Sequence, residues 1–265
     1  MKTRFPIFAS LGLLVLLGGG RATALGDPNR IVLPAAASIV GGAPFFSDVR
    51  VFNRSYESTI SLEATYRCFI GACPSVDRGL QIVVPPRDTE SFNDIAGVVF
   101  SEPGTAGAIE FLVTGGGSGA DIGITSRLYS TAPQPTVGMF VPGVPASAAQ
   151  PVTFLAQIAN GGSGRGFRTN AGAFNPGDAA VTARFDVFDH AGRILGSQTR
   201  SIRAHSGVQI DDVFGAIGRS SDSIDDAVVV VTATGEVISY AAVIDNATSD
   251  PFLVVGAPDV AAPAR

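Results

Sequence analysis

The chain carries one plan twice. Phe45-Phe46-Ser47-Asp48 runs on to Phe52-Asn53, and Phe167-Arg168-Thr169-Asn170 runs on to Phe174-Asn175 at an offset of 122. Asn93-Asp94-Ile95 matches Asp211-Asp212-Val213 at an offset of 118, and Ser126-Arg127-Leu128-Tyr129 matches Ala241-Ala242-Val243-Ile244 at 115. A repeat of about 110 residues is too long for a solenoid unit and suits two tandem domains. The offset falls where copy one has extra residues, around Cys68 and Cys73 and again across 114–120. Insertions held to turns are what a shared strand framework tolerates.

Within each copy the period is two. Ile60, Leu62, Ala64 and Tyr66 alternate with Ser61, Glu63, Thr65 and Arg67; Val181, Ala183, Phe185 and Val187 alternate with Thr182, Arg184 and Asp186. Such alternation marks half-buried strands. Asp189-His190-Ala191-Gly192 predicts a hairpin into a strand over 194–202, and Thr234-Gly235 predicts a second hairpin joining 228–231 to 237–244. One helical turn per copy is expected at Asn93-Asp94 and at Asp211-Asp212, with the carboxylates capping free N–H groups. About seven strands per hundred residues predict an all-β protein of two antiparallel sandwiches, with a single large barrel as the alternative. The expected boundaries are domain one at 25–143, a Pro-rich linker at 144–151, domain two at 152–256 and a flexible tail at 257–265.

The first 24 residues read as an export signal: Lys2 and Arg4, an apolar run from Phe5 to Leu17, then Ala22-Thr23-Ala24 before the cut. Thirteen apolar residues are too few to span a bilayer, so no membrane insertion is expected after cleavage. The expected location is secreted or periplasmic. Removing that segment takes away Lys2, Arg4 and Arg21, so a net charge of −5 becomes −8. An acidic mature chain argues against nucleic acid as a partner. In an oxidising compartment Cys68 and Cys73 are expected to form a disulfide across a loop tip.

Phe167 to Asp178 (Phe-x-Thr-Asn-x-Gly-x-x-Asn-Pro-Gly-Asp), residues 189–196, residues 240–246 and Asp250-Pro251 together resemble the tandem immunoglobulin-like modules of bacterial secreted proteins. The resemblance covers most of 31–256. It implies immunoglobulin-like sandwiches in an accessory, extracellular role, and it carries over no catalytic residue.

A search for chemistry finds no metalloprotease helix motif, no nucleophile elbow and no lysine after Lys2. His190 and His205 lie in turn sequences, where a solvated role is expected, and no catalytic residue is assigned. Asp222, Asp225 and Asp226 precede a strand, and Asp245, Asn246 and Asp250 follow one. These six are a speculative calcium set, against the reading that they simply form turns. No cofactor is expected other than this calcium. Tyr56, in the turn 53–58, is the best exposed ring for a ligand surface, and Asn53-Arg54-Ser55 and Asn246-Ala247-Thr248 match the glycosylation pattern. The expected function is a non-catalytic accessory protein that binds or adheres through two sandwich modules, its ligand a protein or a glycan. The alternatives are a structural component packing on partner subunits and a glycan-active hydrolase.

Overall fold

The computed structural model describes residues 26–39, 44–131, 136–162 and 166–259. The expected export signal lies outside the described residues. The fold is all-β, two antiparallel sandwiches in which the strand register itself is duplicated.

The first sandwich comprises β1 (Arg30–Ile39), β2 (Phe45–Asn53), β3 (Ile60–Ile70), β4 (Arg78–Val84), β5 (Thr89–Phe92), β6 (Thr105–Gly115), β7 (Ile122–Ser130), β8 (Val137–Pro142) and β9 (Val144–Pro145). One layer runs β4-β3-β6-β1-β9 and the other β5-β2-β7-β8, and the two join where Ser38 and Ile39 pair with Phe46 and Phe45. The second sandwich comprises β10 (Gln150–Gly161), β11 (Phe167–Asn175), β12 (Val181–Phe188), β13 (Ile194–Ile202), β14 (Ser206–Ile210), β15 (Ser223–Asp245), β16 (Pro251–Val255) and β17 (Ala257–Pro258). Its layers run β13-β12-β15-β10-β17 and β14-β11-β15-β16. Phe52 faces Gly123 as Phe174 faces Ile238, and Phe46 faces Tyr129 as Arg168 faces Ile244.

The repeated sequence pairs occupy the positions that hold this framework. Asn53 and Asn175 are both buried. The Asn53 amide donates to the carbonyls of Ser58 (2.8 Å) and Val84 (2.9 Å), and the Asn175 amide donates to those of Ala179 (2.8 Å) and Arg203 (3.1 Å). Each therefore ties the end of one strand to the following loop. Asp94 and Asp212 sit at φ 42° and 46°, a left-handed geometry that Asp tolerates better than most residues. Asp94 accepts from the Gly97 N–H at 3.2 Å and Asp212 from the Gly215 N–H at 3.0 Å, so both expected caps are present at the helical turns Ile95–Val99 and Val213–Ala216. Asp48 and Asn170 hold the Asp94 and Asp212 N–H groups in turn.

Three expectations differ from the structure. Thr234-Gly235 does not reverse the chain: β15 runs through it, pairing with β10 and β12 in its first half and with β11 and β16 in its second. The strand crosses from one layer to the other, where copy one breaks into β6 and β7 around its longer glycine-rich loop. The residues 144–151 are not a free linker. Val144 and Pro145 pair with β1, Ala146–Ala148 make a single tight helical turn, and Gln150 opens β10. The start of the tail is also structured, since Ala257 and Pro258 pair with Phe154 and Thr153.

The sandwiches pack face to face. Val32, Ala108, Ala149, Phe174 and Ile238 form a buried cluster contributed by both, with Phe69 and Val144 against it. Phe69 lies so close to β14 that a Cβ on Gly207 would stand 2.4 Å from its ring, and Tyr240 crosses β11 over Gly172 in the same manner. Tyr66 is buried inside the first sandwich as expected, whereas Tyr240 is buried in this seam.

Candidate functional site

Alternation along β2 sends Val49 and Val51 into the core and leaves Phe46, Asp48, Arg50 and Phe52 on the opposite face. The β2–β7 register places Thr125, Arg127 and Tyr129 on that face too, opposite Arg50, Asp48 and Phe46. The loop after β2, fixed by the Asn53 amide, raises Tyr56 to 79% exposure. Arg87, at φ 60°, brings its guanidinium to 4.5 Å from the Tyr56 ring centre and 5.0 Å from that of Phe52. Arg127 lies 4.6 Å from the Tyr129 ring centre, and Tyr129 meets Phe46 at 6.2 Å. Arg54 lies over Gly123, and Arg50 donates to the carbonyls of Val49 and Phe92 and to Asn93.

None of Arg50, Arg54, Arg87 and Arg127 pairs with a carboxylate among the described residues, as Arg30, Arg67, Arg78, Arg184, Arg193 and Arg219 do; Arg168, Arg200 and Arg203 also lack such a pair but lie in the second sandwich. A chain of net charge −5 thus gathers four guanidinium groups and four rings around one sheet face, where Asp48, opposite Arg127, is the carboxylate that β2 contributes. Arginine forks fit carboxylate, sulfate or phosphate groups, and the rings offer flat surfaces for apolar ring faces. Tyr56 was legible in the sequence as an exposed ring. The arginines were not, because their grouping depends on cross-strand register, and net charge conceals a local patch.

The six candidate calcium residues do not converge. Asp222, Asp225 and Asp226 share an open groove with Asp189, but Arg219 pairs with Asp222 at 3.1 Å and Arg193 with Asp189 at 2.7 Å. The Asp189 carboxyl is held below the usual range by the Arg193 N–H. Asp226 sits at φ 55° beside a register shift of β15 against β10. Asp245 accepts from the Ala247 and Thr248 N–H groups, and Asn246 accepts from Arg168, so two of the second trio are occupied, while the Asp250 N–H and carbonyl serve the same turn. Among the described residues no group of three or more acidic, His or Cys side chains is arranged to hold a metal. Cys68 and Cys73 are joined as a disulfide with a Cα separation of 5.5 Å. Asn53 cannot serve as a glycosylation acceptor, since its amide is buried and bonded.

The seam contains the buried ion cluster that sequence reasoning missed. Glu110, 2% exposed, takes Arg67 Nε at 2.7 Å, Arg30 Nη1 at 3.1 Å and His205 Nδ1 at 3.0 Å. His205 Nε2 lies 2.8 Å from Asp178 Oδ1. His205 is therefore not a solvated turn residue, because its ring bridges the two sandwiches. Its left-handed φ of 48° matches that of Arg87 at the same place in copy one. Both contacts are made together only when both ring nitrogens carry hydrogen.

Elsewhere the seam opens into a cavity of about 400 Å³. Ala36, Phe45, Leu128 and Met139 of the first sandwich and Ala242 and Ile244 of the second supply its apolar lining. Its polar lining is Arg168, Asn170, Gln209, Asp211 and the Tyr240 hydroxyl, which donates to Gln209 at 3.1 Å. Burial pushes the Tyr240 phenol well above its ordinary range.

No protein-family model matches the chain, and no curated protein matches it either. Among solved structures it aligns with a "putative secreted protein" from Parabacteroides distasonis ATCC 8503 at 8% identity and a TM-score of 0.23, over 86% of this chain and 76% of that one. So slight a likeness bears on neither fold nor function.

Proposed function

We propose that the protein is an exported, non-catalytic binding module of two immunoglobulin-like sandwiches, and that the first sandwich presents its open arginine–aromatic face to an acidic glycan. The observation that carries this reading is the set of four arginines without a carboxylate partner among the described residues, of which Arg87 lies over Phe52 and Tyr56 and Arg127 over Tyr129, with Phe46 against Tyr129. A polymer of sugar acids or sulfated sugars offers both complements at once, an anionic group for each fork and a ring face for each aromatic. The signal-like N-terminus and the disulfide support export. No cofactor enters the reading, and the binding is independent of calcium.

The test is isothermal titration of residues 25–265 with a polyuronate, a sulfated glycan, a neutral glucan and single-stranded DNA, each with calcium and with EDTA. Acidic glycans are expected to bind with an affinity that falls with salt. The Arg87→Gln/Arg127→Gln double variant is expected to lose at least tenfold, about 1.4 kcal/mol. Equal binding of the neutral glucan, tighter binding of DNA, or loss of binding in EDTA would each overturn it.

A further inference from the structure

The structure assigns a second, separate binding site to the seam: we infer that the cavity between the sandwiches takes a small amphipathic carboxylate, with its chain on the apolar lining and its head at Arg168. The cavity volume of about 400 Å³ lies in the usual range for small-molecule sites, roughly 300–1,000 Å³. Such sites combine apolar walls with a few placed polar groups. The polar groups here are not equally free. Asp211 already accepts from Gln209 Nε2 at 2.7 Å, Gln209 Oε1 accepts from Tyr240, and Asn170 Oδ1 accepts from the Asp212 N–H. Arg168 is the exception. Among the described residues its side chain donates from Nη1 to Asn246 Oδ1 at 2.5 Å and pairs with no carboxylate. A guanidinium has five N–H donors, so most of its capacity remains for an anion. Half-burial at the end of an apolar cavity strengthens that demand, because a charge in low dielectric needs a partner.

The position also matters. Arg168 holds the place in copy two that Phe46 holds in copy one, so a charge stands at one end of a face that continues through Asn170 to Gly172, Ala242 and Ile244.

The probes are decanoate, decanol and decyltrimethylammonium, titrated calorimetrically into residues 25–265. Decanoate is expected to bind saturably at one site, at least tenfold tighter than either of the others. Arg168→Gln removes that preference, Arg168→Lys keeps most of it, and Arg87→Gln/Arg127→Gln leaves it unchanged; circular dichroism checks that each variant is folded. Equal binding of decanol and decanoate, preference for the cation, no binding by any probe, or loss in the Arg87/Arg127 variant instead of at Arg168 would each overturn the assignment. Failure of glycan binding leaves this outcome untouched, since the two sites share no residue.

Discussion

The two sandwiches carry the same sheet face in opposite situations. In the second, the face of β11, β14 and β15 is pressed against its neighbour and shows Gly172, Phe174, Gly207, Ile238, Tyr240 and Ala242. In the first, the equivalent face of β2, β5 and β7 is open and shows Arg50, Phe52, Thr89, Gly123, Thr125 and Arg127. The inward residues and the loop-fixing amides are shared, so the scaffold tolerated divergence where the side chains meet something other than the sandwich's own core. Small and apolar residues permit close approach of two sheets, whereas long charged ones keep a surface in water. What the copies share reports folding, and what differs reports surroundings, the neighbouring sandwich for one face and solvent for the other.

That comparison makes Glu110 the most sensitive position. Its counterpart in copy two is Val230, which faces Phe154 across β10 and Asp186 across β12 on the free layer of the second sandwich. Removing one member of a buried ion cluster leaves its partners uncompensated, at a cost of about 3–5 kcal/mol. Glu110→Ala is therefore expected to lose about that much in urea unfolding, because Arg30, Arg67 and His205 lose their shared acceptor. Val230→Ala is expected to cost about 1 kcal/mol, from lost apolar contact alone. Similar losses at both positions would mean that the seam contributes little, and the contrast between the two faces would collapse.

The shared scaffold is probed by Asn53→Ala and Asn175→Ala. Each strips the donors from buried carbonyls, and each is expected to cost about 1–3 kcal/mol. The two losses should agree closely. Only Asn53→Ala should also weaken glycan binding, since Tyr56 stands on the loop that Asn53 holds. A loss confined to one copy would show that the repeat is a sequence relic and not a common structural device.

These residues also show what was legible from the sequence. The Asn and Asp pairs, the alternation of β3 and β12, and the disulfide are local patterns, and each sits where it was expected. The seam left a trace that alternation does not capture. Residues 31–37 and 237–244 are almost unbroken apolar runs, as strands buried on both faces must be. His205 and Glu110 meet across 95 residues, which no local spacing could indicate. Thr234-Gly235 misled because a Gly dipeptide looks the same in a reversal and in a strand passing between layers. The arginine face required register, which alternation alone leaves open by the choice of pairing partner.

The smallest expected effect separates the interior of one sandwich from the seam between two. Tyr66 donates to Thr105 Oγ1 at 3.0 Å, and Thr105 in turn donates to the Glu102 carbonyl. Burial pushes the Tyr66 phenol up to about 12, and burial raises Tyr240 as well. A tyrosine whose folded value is raised contributes stability that is complete below its unfolded value of about 10 and is lost as pH rises toward the folded one. Stability is therefore expected to fall between pH 10 and about 12. Tyr66→Phe should flatten part of that slope while costing about 1 kcal/mol at neutral pH from the lost hydrogen bond. Tyr240→Phe should flatten another part. If the seam opens before the sandwiches unfold, ultraviolet titration will show a step ahead of Tyr66 that Tyr240→Phe abolishes and that Tyr56→Phe leaves in place. Coincident ionisation of both, in a single unfolding transition, would instead make the seam as much a part of the cooperative core as the sandwich interior.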